Sequence, residues 1–176
     1  MFTGMSLVGR LNYYRRIFPA YLRPGKSHLG FWHDYPEINS HYSPDKLGEY
    51  YMPFLQKADY PGPYDERGIP MLNYQGYLGR QYNPIAIAQF GLGNFNAFRR
   101  SGNPERRNRF LAVADWLVST LEPNKAGLHV WNHHFDWEYR TKLSAPWQSA
   151  LAQSQGISGF KMSSKEDGNA LGLRQC

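Results

Sequence analysis

The residues best suited to chemistry lie in two stretches of the chain. In Trp131–Arg140, His133, His134, Asp136 and Glu138 crowd together, with His129 just upstream. On a helix, His129 and His133 would share a face and could offer nitrogens to zinc. On a strand, His134, Asp136 and Glu138 would share one edge, a mixed set suited to zinc or manganese. The two geometries exclude one another. Trp131, His133, Phe135, Trp137 and Tyr139 alternate with Asn132, His134, Asp136, Glu138 and Arg140, which is the period of an extended strand. A packed ribbon with hydrogen-bonded histidines is therefore the simpler expectation, and no metal is expected. The second stretch is built of amides. Gln89 and Gln153 sit among Ala, Ile and Leu on helical patterns. A buried amide left unpaired costs about 1–3 kcal/mol. Such a Gln either braces a neighbouring loop or lines a cavity and reaches sugar hydroxyls. Trp147 and Gln155 favour the cavity, because indole faces stack on apolar ring surfaces. The chain has no Ser/His/Asp spacing, phosphate loop or paired-cysteine motif, and no cofactor is expected.

These residues need elements to hold them. Asn83-Pro84 is a helix start, with Asn as cap and Pro at the first helical position. Ile85, Ala88, Leu92 and Phe95 follow at helical spacing, and Arg99, Arg100 and Gly102 close the helix. Asn103-Pro104 restarts a second helix carrying Phe110, Val113, Leu117 and Leu121. So short a connection makes the pair an antiparallel αα-hairpin. A third helix is expected from Ser144-Ala145-Pro146, with Leu151 and Ile157 facing inward. Ala86–Gln89 and Ala150–Gln153 form a weak repeat, of the kind found in stacked helical hairpins. Upstream, Met1–Gln81 is rich in Pro, Gly and Tyr. It offers an amphipathic helix in Leu7–Leu22 with Leu7, Leu11, Tyr14 and Phe18 on one face, and a short helix near Leu47–Phe54. Turns and extended pieces should fill the remainder. The polar stretch after Phe160 has no apolar period and reads as a disordered tail or as sequence foreign to the fold.

Composition narrows the class. At 176 residues the chain can bury a core of its own. No apolar run nears the roughly 18 residues of a membrane span. Arg10 interrupts what would have to be the apolar part of a signal peptide, so a cytoplasmic location is the default expectation. The sole cysteine, Cys176, excludes an internal disulfide framework. Net charge is +6, with 13 Tyr and 5 Trp. A basic aromatic chain could bind nucleic acid, anionic lipid or acidic polysaccharide. The arginines fall in small groups (Arg15-Arg16, Arg99-Arg100, Arg106, Arg107 and Arg109) rather than in runs interleaved with stacking residues, which argues against single-stranded nucleic acid.

Four segments carry a resemblance. YNPIAIAQFGLGNF (Tyr82–Phe95) and APWQSALAQSQGIS (Ala145–Ser158) look like the two helix-opening signatures of the glucuronyl C5-epimerase C-terminal domain. YYMPFLQKADYPGPYDERGIPMLNY (Tyr50–Tyr74) and VWNHHFDWEYR (Val130–Arg140) look like segments that bacterial members carry beside them. The resemblance implies an all-α fold: a partial α/α toroid of helical hairpins over residues 82–160, with an irregular arm over 1–81, a short β ribbon, and a tail over 161–176. It implies an incomplete member of the family. A homo-oligomer is a separate expectation for its partners. The activity implied is conversion of D-glucuronic to L-iduronic acid residues in a heparosan-like chain, without a redox cofactor. The alternative is a non-catalytic module for acidic polysaccharide. The family's catalytic carboxylate and tyrosines lie beyond the matching stretch, so no catalytic residue is transferred. A cleft-lining, substrate-binding role carries over to Tyr82, Asn83, Gln89, Trp147, Gln153 and Gln155.

Overall fold

The computed structural model describes residues 7–8, 11–12, 14–15, 18, 31–32, 37–43, 45, 48–74, 78–138 and 142–166. The αα-hairpin forms from local chemistry. The Asn83 side chain accepts from Ile85 N (3.0 Å) and Ala86 N (3.3 Å) and starts α2, Pro84–Ser101; α1 is the short helix Leu55–Ala58. Gly102, at φ 68°, ends α2 by donating to Phe98 O. Asn103 Oδ1 accepts from Glu105 N at 2.9 Å and opens α3, Pro104–Ser119. The last helix, α4, spans Ala150–Glu166 and packs on both α2 and α3.

Helix α2 is the hub. Ile87 and Phe90 join one buried cluster with Tyr60, Ile69, Val113, Trp116, Leu117 and Trp131. Leu92 and Phe95 join a second, with Tyr50, Phe54, Phe110 and Met162. Ala86 joins a third, with Leu72, Tyr74, Leu78 and Phe135. Between Ala86 and Asn96 the helix is buried at every position but the half-buried Gln89, so this stretch has no solvent face to keep polar. Residues 50–74 cover one flank. Asn96, fully buried, accepts from Tyr50 N (2.7 Å) and donates to Pro53 O (2.8 Å). Gly93 lets this segment lie against the helix, since a Cβ there would meet Phe54 O at 2.3 Å.

Between α3 and α4 the chain is extended. β3 (Glu122–Pro123) pairs with β4 (His129–Val130), and β5 (Asn132–His133) with β8 (Trp147–Gln148). Between them β6 (Trp137–Glu138) pairs with β7 (Lys142–Leu143). A fourth antiparallel pair, β1 (Leu72–Tyr74) with β2 (Gly79–Gln81), precedes α2 in register Leu72↔Gln81.

These strands overturn the all-α toroid. The fold is mixed, helices against several small antiparallel sheets. The second hairpin that a toroid needs between α3 and α4 is replaced by nested ribbons. Its sequence alternates at period two, and the Asn124 side chain fixes a turn there by accepting from Ala126 N and Leu128 N. The expected ribbon is broken: Trp131, His133 and Phe135 are buried in alternation, but β5 and β6 pair with different partners. The third helix begins at Ala150, not near Pro146, because Trp147 and Gln148 are engaged by β5. Leu151 and Ile157 do not face inward; they are 49% and 59% exposed. The face of α4 turned to the core is instead Ala152, Gly156, Gly159 and Met162. The repeat fails for the same reason, as Ile87 is buried and its counterpart Leu151 is not. The short helix expected at Leu47–Phe54 lies later, at Leu55–Ala58. Helix α4 also runs on through residues 161–166, past the expected break at Phe160. Leu7, Leu11, Tyr14 and Phe18 are helical and exposed, whereas positions 9, 10, 13, 16, 17 and 19–22 of the helix expected over Leu7–Leu22, and residues 167–176, lie outside the described residues.

Candidate functional site

The segment Tyr60–Pro70 is folded by one carboxylate. Asp65 Oδ1 accepts from Arg67 N (2.9 Å) and Ile69 N (2.8 Å), which closes a turn at Gly68. Its Oδ2 accepts from the Tyr82 hydroxyl at 2.8 Å. Burial pushes the Asp65 carboxyl up. The bonds from Ile69, Tyr82 and Arg67 outweigh that and hold it below the usual carboxylate range. The turn therefore carries Arg67 outward at its tip, with Arg67 Nε 3.6 Å from Asp65 Oδ2.

Opposite stands the first half of α3. Arg106 is consumed by the fold, bonding Ala58 O (2.9 Å), Asn94 Oδ1 (3.3 Å) and Asp59 Oδ1 (2.6 Å). Arg109, one turn on, reaches along its own helix to Glu105 Oε1 at 2.6 Å, a half-exposed pair and its one hydrogen bond among the described residues. Between the two walls lies an open cavity of about 360 Å³ lined by Tyr64, Arg67, Phe90, Glu105, Asn108 and Arg109, with Gly68 and Ala112. This lies within the roughly 300–1,000 Å³ of small-ligand sites. The Tyr64 ring packs on Phe90 (5.8 Å between centroids) and its hydroxyl donates to Tyr60 O. Burial raises the Tyr64 pKa, while the positive charges of Arg109 and Arg106 pull it back.

A second constellation is dry. His133 is fully buried and stacks parallel on Trp147, with centroids 3.8 Å apart and planes within 7°. Neither ring nitrogen of His133 has a hydrogen-bond partner, and burial lowers its pKa to about 4. Phe135, Trp137 and Tyr74 complete the aromatic cluster. Trp147 Nε1 donates to Phe135 O at 2.7 Å.

The six residues expected to line one cleft do not gather, and none of them lines the cavity. Tyr82 comes nearest, standing behind Arg67 through Asp65. Asn83 is spent on the helix cap and on the Tyr74 hydroxyl, to which it donates at 2.8 Å. Gln89 is half-buried and makes no hydrogen bond among the described residues. Trp147 belongs to the aromatic cluster. Gln153 braces a loop: it accepts from Trp131 N (3.0 Å) and donates to Trp131 O (2.9 Å). Gln155 is buried with its Oε1 unpartnered. Position i, i+4 histidines do not arise, since His129 is exposed on β4 and His133 buried on β5. His134 instead pairs with Glu122 at 3.2 Å. Among the described residues no three His, Cys, Asp or Glu side chains form a metal-binding group. Of the groove arginines, Arg109 stands out in the sequence only as one of a small basic group, and Arg67 is not singled out there. The signal available was an Asp-x-x-Gly turn beside a helix start dense in Arg.

Comparison with known proteins adds no relative. No family model, no curated protein and no solved structure matches the chain. No described helix is long and apolar enough to cross a membrane.

Proposed function

We propose that this chain acts on a uronic-acid polysaccharide in the manner of the glucuronyl C5-epimerases, converting D-glucuronic to L-iduronic acid residues in a heparosan-like chain. The observation supporting this reading is that the four resembling segments close on one another. Asn83 bonds Tyr74, and Tyr64 packs on Phe90. Tyr74 packs on Phe135 at 4.9 Å. Trp131 is held by Gln153, and His133 by Trp147. The four segments thus share one core, and the Arg-lined groove is walled by the Tyr50–Tyr74 and Tyr82–Phe95 segments together with α3.

The chemistry fits such a groove. A uronate C5 proton is adjacent to a carboxyl group, so its removal places charge on carboxylate oxygens, which fixed positive groups stabilise. Return of the proton to the opposite face inverts the centre, so an acid/base group is needed on each side of the ring. No redox step is involved.

One observation favours the non-catalytic alternative, a binding module. Burial pushes Tyr50 and Tyr74 up to about 12, and raises Tyr64 and Tyr82 as well. Hydroxyls so placed stay protonated near neutral pH and do not abstract protons, and those of Tyr50, Tyr64 and Tyr82 are already donated within the fold. Incubation with heparosan in deuterated water separates the two. Deuterium at C5, with iduronate signals in the proton spectrum, is the expected result of epimerisation. Retained heparosan affinity without exchange supports the module, and loss of both sinks the polysaccharide reading.

A further inference from the structure

The cavity between the Asp65 turn and α3 is lined by two guanidinium groups and one carboxylate, over an aromatic floor. Its two arginines differ from the others nearby in how little of them the fold uses. Arg106 has three partners that are themselves fold elements, as described above. Among the described residues Arg109 has one, on its own helix, and Arg67 has a 3.6 Å approach to a carboxylate already occupied by three closer donors and a contact with the Tyr82 hydroxyl, itself already donated to Asp65. A guanidinium carries five N–H donors in a planar fork that matches a carboxylate. Arg67 and Arg109 reach the cavity from opposite walls, one from the turn and one from the helix. Between them the Tyr64 ring, half-buried and packed on Phe90, presents an apolar surface of the kind that sugar rings cover. Asn108 adds an amide that can both donate and accept.

We infer that this groove is the subsite that reads the uronate carboxylate, Arg67 and Arg109 clamping it while the sugar ring lies on Tyr64. The assignment rests on the proposed polysaccharide function and names the residues that confer its specificity. Glu105 sets the threshold. It holds Arg109 at 2.6 Å, and an incoming carboxylate takes its place on the same fork. A neutral ring cannot make that exchange, so the groove discriminates a uronic acid from the corresponding neutral hexose.

The test measures affinity of the full chain for a heparosan octasaccharide and for the same octasaccharide with its carboxyl groups reduced to hydroxymethyl groups. Arg67→Gln and Arg109→Gln should each weaken heparosan binding about tenfold, the scale expected for one charge-assisted contact. Neither should change the affinity for the reduced chain. Arg100→Gln removes the same charge from an exposed arginine that pairs with Glu49 away from the groove, and should leave both affinities as they were. Equal weakening by Arg100→Gln, or equal weakening of both ligands by the groove variants, would mean that the groove does not read the carboxylate. Heparosan binding by the unaltered chain that neither groove variant weakens overturns this assignment alone. Absence of heparosan binding by the unaltered chain overturns the functional reading beneath it as well.

Discussion

Two regions wrap the α2–α3 hairpin with little regular structure of their own, and they are fastened by opposite means. Residues 50–74 are stitched by polar side chains to backbone groups. Asn96 takes Tyr50 N and Pro53 O, Arg106 takes Ala58 O, Asp65 takes two amides, and Tyr60 donates to Met71 O. Even the buried Lys57 is used, donating to Phe31 O and lying 5.1 Å from the Phe31 ring centre. Residues 122–148 are fastened mostly by rings: Trp131 over the hairpin, His133 on Trp147, Phe135 on Tyr74. Stitching fixes backbone position through many modest bonds, each worth about 1 kcal/mol net. Stacking concentrates the hold in a few large side chains and requires them to remain uncharged.

The sharpest way to break the contrast is to remove one ring. Trp131→Ala deletes a buried indole that also donates to Leu117 O at 2.8 Å. It should cost about 3–5 kcal/mol in urea unfolding. A cost below 1 kcal/mol would show that the ribbons do not depend on it.

Acid probes the same region without mutation. The pKa of His133 falls from its ordinary 6.5 to about 4 on folding. Between those values the unfolded chain binds more protons than the folded one. The stabilisation is therefore complete above pH 6.5 and is lost as pH falls towards 4, by up to about 3 kcal/mol. His133→Phe keeps the stacked ring and removes the titration. Its stability should change less between pH 7.5 and pH 4.5 than that of the unaltered chain. Identical pH profiles would place the acid sensitivity elsewhere.

The smallest effects compare the two amide braces. Asn96→Ala strands a buried N–H and a buried C=O and should cost about 2–3 kcal/mol. Gln153→Ala removes a side chain that is itself only half-buried, so that water can take its place on Trp131 N and O, and should cost about 1 kcal/mol. If Gln153→Ala proved the costlier, the ribbons too would have to be counted as stitched.

Local signals were legible in the sequence and relayed ones were not. Asn83-Pro84 and Asn103-Pro104 act within four residues of themselves, so both helices begin where the caps put them. The burial alternation of Trp131, His133 and Phe135 is likewise visible as a period. The start of α4 is not, because Pro146 resembles a helix opening until β5 claims Trp147 and Gln148. Apolarity misleads on that helix. Small residues at 152, 156 and 159 bring α4 close to the core, and a Cβ on Gly156 would meet the Trp131 ring at 2.4 Å. Leu151 and Ile157 are left outside. The groove escapes for a third reason, since its two arginines are 42 positions apart (109 − 67) and meet only through the hairpin.

The burial of α2 bears on how the chain is made. Its covering comes from both sequence directions: Tyr50 bonds Asn96 through its backbone and Ser158 through its hydroxyl. During synthesis residues 50–74 emerge before the helix they wrap, and α4 emerges after it. The nascent hairpin must therefore wait with one flank bare until α4 has been made, a stage at which exposed apolar helix invites chaperones and wrong partners.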